Sequence, residues 1–279
     1  MGEPAEQITA TILGCGSSAG VPRVGNVWGV CDPENPRNRR RRCSLLITGR
    51  TSGSEEPTRI LIDTGCDLRE QLLAAGVGRL DAVFYTHEHA DHTHGIDDLR
   101  VLALNSMRRV DVYFSQEAGE RIRAAFGYCF EAPSGSSYPP ILKAHTIAAG
   151  DDIDIDGPGG TIRLHAFKQE HGDIYSLGFR VGRFAYSCDL SGLPESSLAA
   201  VSGLDVWVLD ALRPTPHPSH LSLPESLELI ERMKPRQAVL TNLHIDMDYA
   251  TVEATTPGHV AAAFDGMQID VTRGKLIGD

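Results

Sequence analysis

Six consecutive positions, His87-Glu88-His89-Ala90-Asp91-His92, carry three histidines and an aspartate, and they follow the apolar run Ala82-Val83-Phe84-Tyr85. Such a run reads as a buried strand. The cluster therefore belongs in the loop at a strand's carboxyl end, which is where layered α/β proteins house their ligands. Neutral imidazole nitrogens and carboxylates are the donors that a divalent transition metal takes. A chain built this way must end a central strand at a cavity and bring further donors to it from other elements.

Composition narrows what that cavity can serve. The chain has 279 residues, 41% hydrophobic and 23% charged, as expected of a globular protein, and the whole of 1–279 is read as one domain. No apolar run reaches membrane-spanning length, so no membrane partner is expected. The first residues, Met1-Gly2-Glu3-Pro4-Ala5-Glu6, lack the basic and apolar regions of a secretory signal. Six cysteines without paired spacing read as reduced thiols, so the expected location is cytoplasmic. A net charge of −11 speaks against a stable nucleic-acid complex, which needs phosphate-neutralising Lys and Arg. One basic block, Arg37-Asn38-Arg39-Arg40-Arg41-Arg42, stands apart as either a solvated loop or an anion anchor.

Residues 8–14 alternate as a strand and run into Gly14-Cys15-Gly16-Ser17-Ser18-Ala19-Gly20-Val21-Pro22. This is no dinucleotide fingerprint, because the third glycine is missing and Pro22 stands where a helix would begin. Two further strand-like runs, 43–48 and 59–63, read as a hairpin. Helices are expected over 67–76, 95–107, 117–126 and 224–234, and strands at 110–114, 161–167, 176–187, 205–210 and 237–240. Many strands in each half with helices between them predict two packed sheets covered by helices.

Three more residues stand where a strand hands over to a loop: His171, Asp189 after Phe184-Ala185-Tyr186-Ser187-Cys188, and His244 after Leu240-Thr241-Asn242-Leu243. With the histidine cluster they resemble the metallo-β-lactamase superfamily along nearly the whole chain. The resemblance implies an αββα sandwich with two divalent ions, zinc or manganese, at its edge. It gives His87, His89 and His171 to the first ion and Asp91, His92 and His244 to the second, with Asp189 bridging. The usual Thr-His-x-x-His reads Thr241-Asn242-Leu243-His244-Ile245 here, so Asn242 occupies the more familiar position and His244 is taken as the ligand.

Within the superfamily the chain is similar to the branch of phosphoribosyl cyclic phosphodiesterases. The matching stretches are the Gly-rich opening, Trp28-Gly29 with the arginine segment ending Arg42-Cys43-Ser44, Ile62-Asp63-Thr64-Gly65, Pro218-Ser219-His220-Leu221-Ser222 and Phe264-Asp265-Gly266-Met267. That branch often carries extra cysteines for a structural zinc; only Cys31 precedes Cys43 here, so none is expected. The resemblance implies a phosphodiesterase for small cyclic or nucleotide-like phosphates, in which two ions activate one water and His220 protonates the leaving group beside a catalytic Asp91. Ser17, Arg39, Arg40 and His220 are the candidate substrate contacts. His217 competes with His220, His94 is expected just outside the donor set, and Asp63 is expected to orient a metal-binding histidine. Cys188 should point away from Asp189's side of its strand. A thioesterase, a lactonase, an RNA-processing nuclease and a non-catalytic sensor are the alternatives, and a homodimer is an expectation from the resemblance alone.

Overall fold

In the computed structural model, which describes residues 2–132 and 134–278, alternation along the strands explains the architecture. Ile60, Ile62, Ala82 and Phe84 face inward, as do Phe184, Tyr186, Val206, Val208 and Val239 from the other half, and together they fill one core. The residues between them, Leu61 and Val83, pack outward under a second cluster with Leu68, Leu72, Leu99, Leu102 and Ile122. Likewise Ala185, Trp207, Leu209 and Leu240 pack outward with Ile230 and Val252. Strands buried on both faces read as continuous apolar runs, which is why period-2 patterning is faint in this sequence.

Among the described residues the strands form two sheets. The first runs Lys275–Leu276, Gln268–Asp270, Gln7–Gly14, Ser44–Arg50, Thr58–Ile62, Ala82–Phe84, Val110–Phe114 and Leu142–Thr146 in spatial order. The second runs Val260–Ala262, Gln237–Thr241, Val206–Asp210, Phe184–Ser187, Ile174–Val181, Ile162–His171 and Asp152–Ile155. Each is antiparallel on one flank and parallel on the other. Helices Leu68–Ala74, Leu99–Ser106 and Gln116–Phe130 cover the first sheet, and Leu223–Met233 and Tyr249–Thr255 the second. This is the expected αββα sandwich. The matching strand pattern of the two halves is a feature that residue order alone did not disclose.

The parallel register has a functional consequence. Thr58–Ile62 and Ala82–Phe84 run side by side, as do Phe184–Ser187, Val206–Asp210 and Gln237–Thr241, so their carboxyl ends fall on one edge. Residues 176–187, expected as one strand, are two, broken by a turn at Gly182, whose φ is 55°. The strand expected at 161–167 instead continues to His171. No helix among the described residues is long and apolar enough to cross a membrane.

Candidate metal centre

Three non-glycine residues at strand ends adopt left-handed backbone: Asp63 (φ 64°), Asp189 (φ 55°) and Asn242 (φ 61°). Such conformations are costly for residues with a Cβ, least so for Asp and Asn, and they cluster where a side chain must be re-aimed. Here each turns a polar side chain back over its strand end. Gly65 completes the turn after Asp63, because a Cβ there would lie 2.2 Å from the carbonyl oxygen of Asp91. The short helix Ala90–Thr93 can therefore sit directly on the turn, and it presents Asp91 and His92.

Hydrogen bonds fix the imidazoles one by one. Asp63, fully buried, accepts from Thr86 N and Oγ1 and from His92 Nδ1, each at 2.8 Å. Since the Thr86 hydroxyl donates to Asp63, it accepts from His87 Nδ1 at 2.9 Å. His171 Nδ1 donates to the Ser219 carbonyl at 2.7 Å, and His220 Nδ1 to Asp210 Oδ2 at 2.8 Å. Every one of these rings thus has a proton on Nδ1 and turns Nε2 the other way, the arrangement that outer partners impose on metal-binding histidines.

All four Nε2 atoms converge on one oxygen. Asp189 Oδ2 lies 3.4 Å from that of His92, 3.7 Å from that of His171, 3.8 Å from that of His87 and 4.0 Å from that of His220. His89 closes the group, its Nδ1 3.3 Å from His171 Nε2. Asp91 Oδ2 is 3.5 Å from His92 Nε2. Burial pushes the His87 imidazole far below its ordinary pKa, aided by the charge of His92. Burial acts against the charged forms of His92 and Asp189 as well, but their mutual attraction wins, raising His92 and holding Asp189 well below the carboxylate range.

A divalent cation fits this set on two observations. His87 Nε2 is buried and has no hydrogen-bond partner among the described residues, a costly state unless a cation satisfies it. Donor atoms of His87, His89, His171 and Asp189 also lie within 4.8 Å of one another. His92 and Asp189 form a second group with Cys188, whose Sγ donates to Asp189 Oδ1 at 2.9 Å. The Cys188 side chain packs in the core between the sheets, yet its sulfur reaches the side from which its place in the strand would have kept it.

His220 faces the donors from the second half. Burial disfavours its charge, but the hydrogen bond to Asp210 and the carboxylates of Asp210, Asp189 and Asp91 raise its pKa to about 9. Burial in turn raises Asp210 to about 6. Asp210 was not anticipated, although it bears the signal that singled out Asp189: an acid ending the apolar run Val206-Trp207-Val208-Leu209.

Not every expected residue arrives. His244 does not join the donors: its Nε2 meets Arg23 Nη2, and its Nδ1 lies 2.8 Å from Asp246 Oδ2. Asn242 is the residue that points inward, donating to Asp189 Oδ1 at 3.0 Å. The left-handed turn at Asn242 brings that side chain in and leaves His244 on the outer wall.

Of the arginine block, Arg40 is 2% exposed and packs its guanidinium against Asn38 Oδ1, the His244 carbonyl and Cys31, while Arg39 stacks on Trp28. Neither reaches the cleft. That cleft, about 280 Å³, is lined by Ser17 as expected, by His89, Asp91, His171 and Asp189, by His217 and His220, and by the unanticipated Arg23 and Arg213. His94 lies exposed, edge-on to Phe126.

A family model described as the beta-lactamase superfamily domain matches residues 58–245. A solved diphosphatase of the PhnP family superposes with a TM-score of 0.83 at 32% identity, covering 94% of this chain and 96% of that one. Among curated proteins, an octanoyltransferase of Porphyromonas gingivalis is 31% identical over 92% of this chain. A ribonuclease Z of a Bradyrhizobium species is 31% identical over 43% of it. The chain spans 50% of the first protein's length and 39% of the second's.

Proposed function

Because the chain belongs to the metallo-β-lactamase superfamily and, within it, to the PhnP family, we propose that it is a metal-dependent phosphodiesterase for small cyclic or nucleotide-like phosphodiesters. The observation that carries this reading is the Asp210–His220 pair, which aims a protonated Nε2 at the same carboxylate oxygen that the donor imidazoles surround. His87, His89, His171 and Asp189 would hold one divalent ion, and Asp91, His92 and Asp189 would hold a second, zinc or manganese. When bound, the ions supply Lewis acidity, activating water near neutral pH and neutralising charge on the phosphate oxygens.

The remaining work falls to side chains. Asp91 lines the cleft and accepts a proton from the attacking water. His220, protonated on both nitrogens, gives its Nε2 proton to the departing alkoxide, and Asp210 holds the Nδ1 proton and orients the ring. Asn242 holds Asp189 through its other oxygen, so the shared carboxylate cannot swing. An acyl substrate suits the cleft poorly: Leu212 is its one apolar side chain among the described residues, against Arg23, Arg213 and several imidazoles.

A second reading has its own observation. His220 Nε2 points at Asp189 Oδ2 as the other three imidazoles do, which favours His220 as the donor that replaces the histidine missing at Asn242. Metal content separates the two readings: His220→Ala keeps both ions if His220 is the acid and loses one if it is a donor.

The function itself is tested by assaying zinc- or manganese-loaded protein on bis(p-nitrophenyl) phosphate, a 2′,3′-cyclic nucleotide, a thioester and a lactone. Turnover of the phosphodiesters above the other two is expected. No phosphodiester turnover with any metal would sink the reading.

A further inference from the structure

The geometry points to a second binding site, for a nucleoside monophosphate, in a groove on the outer face of the first sheet: Arg50, Arg59 and two threonine hydroxyls hold the phosphate, and Gln71 and Arg41 meet the base. The groove shares no lining residue with the metal cleft, so the inference stands whichever substrate that cleft takes.

Strand alternation places the groove. Leu46 packs outward in one cluster with Leu68 and Leu72 of the helix Leu68–Ala74, so Thr48 and Arg50, two and four positions on, share its face. Thr9 stands opposite Thr48 on one neighbouring strand and Arg59 opposite it on the other, while Thr11 stands opposite Leu46. The helix and Val77 cover the leucine end of this face. The threonine end stays open as part of a groove of about 560 Å³, within the size of a small-molecule site.

Three guanidinium groups line the groove against one carboxylate, in a chain whose 37 acidic residues outnumber its 26 basic ones. That carboxylate, Asp265, is engaged by main chain: it accepts from Cys15 N at 3.2 Å and from Arg41 N at 2.8 Å. Among the described residues the guanidinium groups of Arg41 and Arg50 have no hydrogen bond and no carboxylate within ion-pair distance. Arg59 has only the exposed Glu56, at 3.4 Å. The hydroxyls of Thr9 and Thr48 are without side-chain partners among the same residues. Guanidinium forks match phosphate oxygens two at a time, and a pair of hydroxyls in the same row completes the shell of such an anion.

The other end of the groove calls for a donor. Gln71 is fully buried; its Nε2 donates to the Arg42 carbonyl at 2.9 Å, while its Oε1 has no partner among the described residues. A buried acceptor left this way is costly, and an N–H from a ligand in the groove would satisfy it. Gln71 meets the sheet at Gly14, which pairs with Ser44, four strand positions or about 13 Å from Thr48. Between the two ends Leu13 and Leu46 form an apolar floor, with Ala74 and Val77 beside it. An anion at one end, a flat apolar body and an N–H edge at the other describe a nucleotide. Its exocyclic amino group donates to Gln71 Oε1 and a ring nitrogen accepts from Arg41.

The test titrates zinc-loaded protein with AMP, adenosine and inorganic phosphate by calorimetry, comparing wild type with the double variant Arg50→Glu/Arg59→Glu and with Gln71→Leu. Wild type is expected to bind one AMP per chain that the double variant loses or binds at least about tenfold more weakly. Zinc content, melting temperature and any turnover of bis(p-nitrophenyl) phosphate should be unchanged in that variant, because neither arginine touches the cleft. Gln71→Leu should weaken AMP and adenosine and leave phosphate as it was. Equal stoichiometry and affinity for AMP in wild type and the double variant would overturn the site. So would phosphate bound as tightly as AMP, which would leave a plain anion patch. Should the double variant fold poorly, Arg50→Ala at the exposed rim gives the same readout, and unchanged AMP binding there overturns the site equally. The titration measures the groove whether or not the cleft turns over phosphodiesters, so failure of one reading leaves the other to stand or fall on its own result.

Discussion

Around Asp189, His87 and His171 turn Nε2 toward Oδ2 beside His89, and His87 Nε2 has no other partner among the described residues, whereas His92, itself beside Asp91, meets the same carboxylate together with Asn242 and His220. The first group is assembled from strand ends of both sheets. The second is assembled from a short helix, a left-handed turn and the loop before Leu223–Met233. The difference teaches where such a centre is free to vary. Strand ends are fixed by the packing of two sheets, while the turn after Gln237–Thr241 can exchange a donor histidine for an amide and send the next histidine to the substrate wall.

The comparison breaks most sharply at the donors themselves. His87→Ala should lose metal and more than ~100-fold of turnover, beyond what outer partners cost, while His244→Ala keeps its metal; elemental analysis beside the bis(p-nitrophenyl) phosphate assay checks both. His220→Ala should lower turnover of alkyl phosphodiesters by about 10²–10⁴-fold, with a much smaller loss on p-nitrophenyl esters, whose leaving group needs no proton. Asp63→Asn, which loosens His92 and Thr86 together, should weaken metal binding about 10–100-fold, read by competition with a chelator.

Smaller effects belong to the wall. Arg40→Ala should destabilise the fold by about 2 kcal/mol in denaturant titration, because it strips partners from the buried Asn38 and His244 groups. Asp248 caps the helix Tyr249–Thr255 and binds Asn38 and the Asp32 backbone. Although burial opposes it, these hydrogen bonds lower its pKa to about 2. A depressed carboxylate pKa means the stabilisation is complete above the ordinary value near 4 and is lost as pH falls toward 2. Asp248→Ala should therefore cost about 1 kcal/mol at pH 7, with the gap to wild type closing between pH 4 and pH 2 in thermal melts.

His87 and Asp189 were legible because each closes an apolar run with a polar residue, and His89, Asp91 and His92 because they crowd in directly after His87. Asp210, closing Val206-Trp207-Val208-Leu209, carries the same signature although it was not singled out. The wall was not legible. Arg37 stacks on Tyr249 and Phe264, Arg39 on Trp28, Arg40 turns inward and Arg42 pairs with Asp67. Arg37 and Arg40 take their directions from residues more than 200 positions away and Arg42 from one 25 positions away, which a run of like charges cannot reveal. The helix Tyr249–Thr255 escaped for a related reason: at seven residues with only Tyr249 and Val252 buried, it has no periodicity to read.

The account turns on which side chains meet the cations, and anomalous diffraction from zinc- or manganese-loaded crystals measures that directly. Two peaks flanking Asp189 are predicted, one among His87, His89 and His171 and one beside Asp91 and His92, with His244 still against Arg23. A single peak, or a His244 ring swung inward onto the second ion, would contradict it.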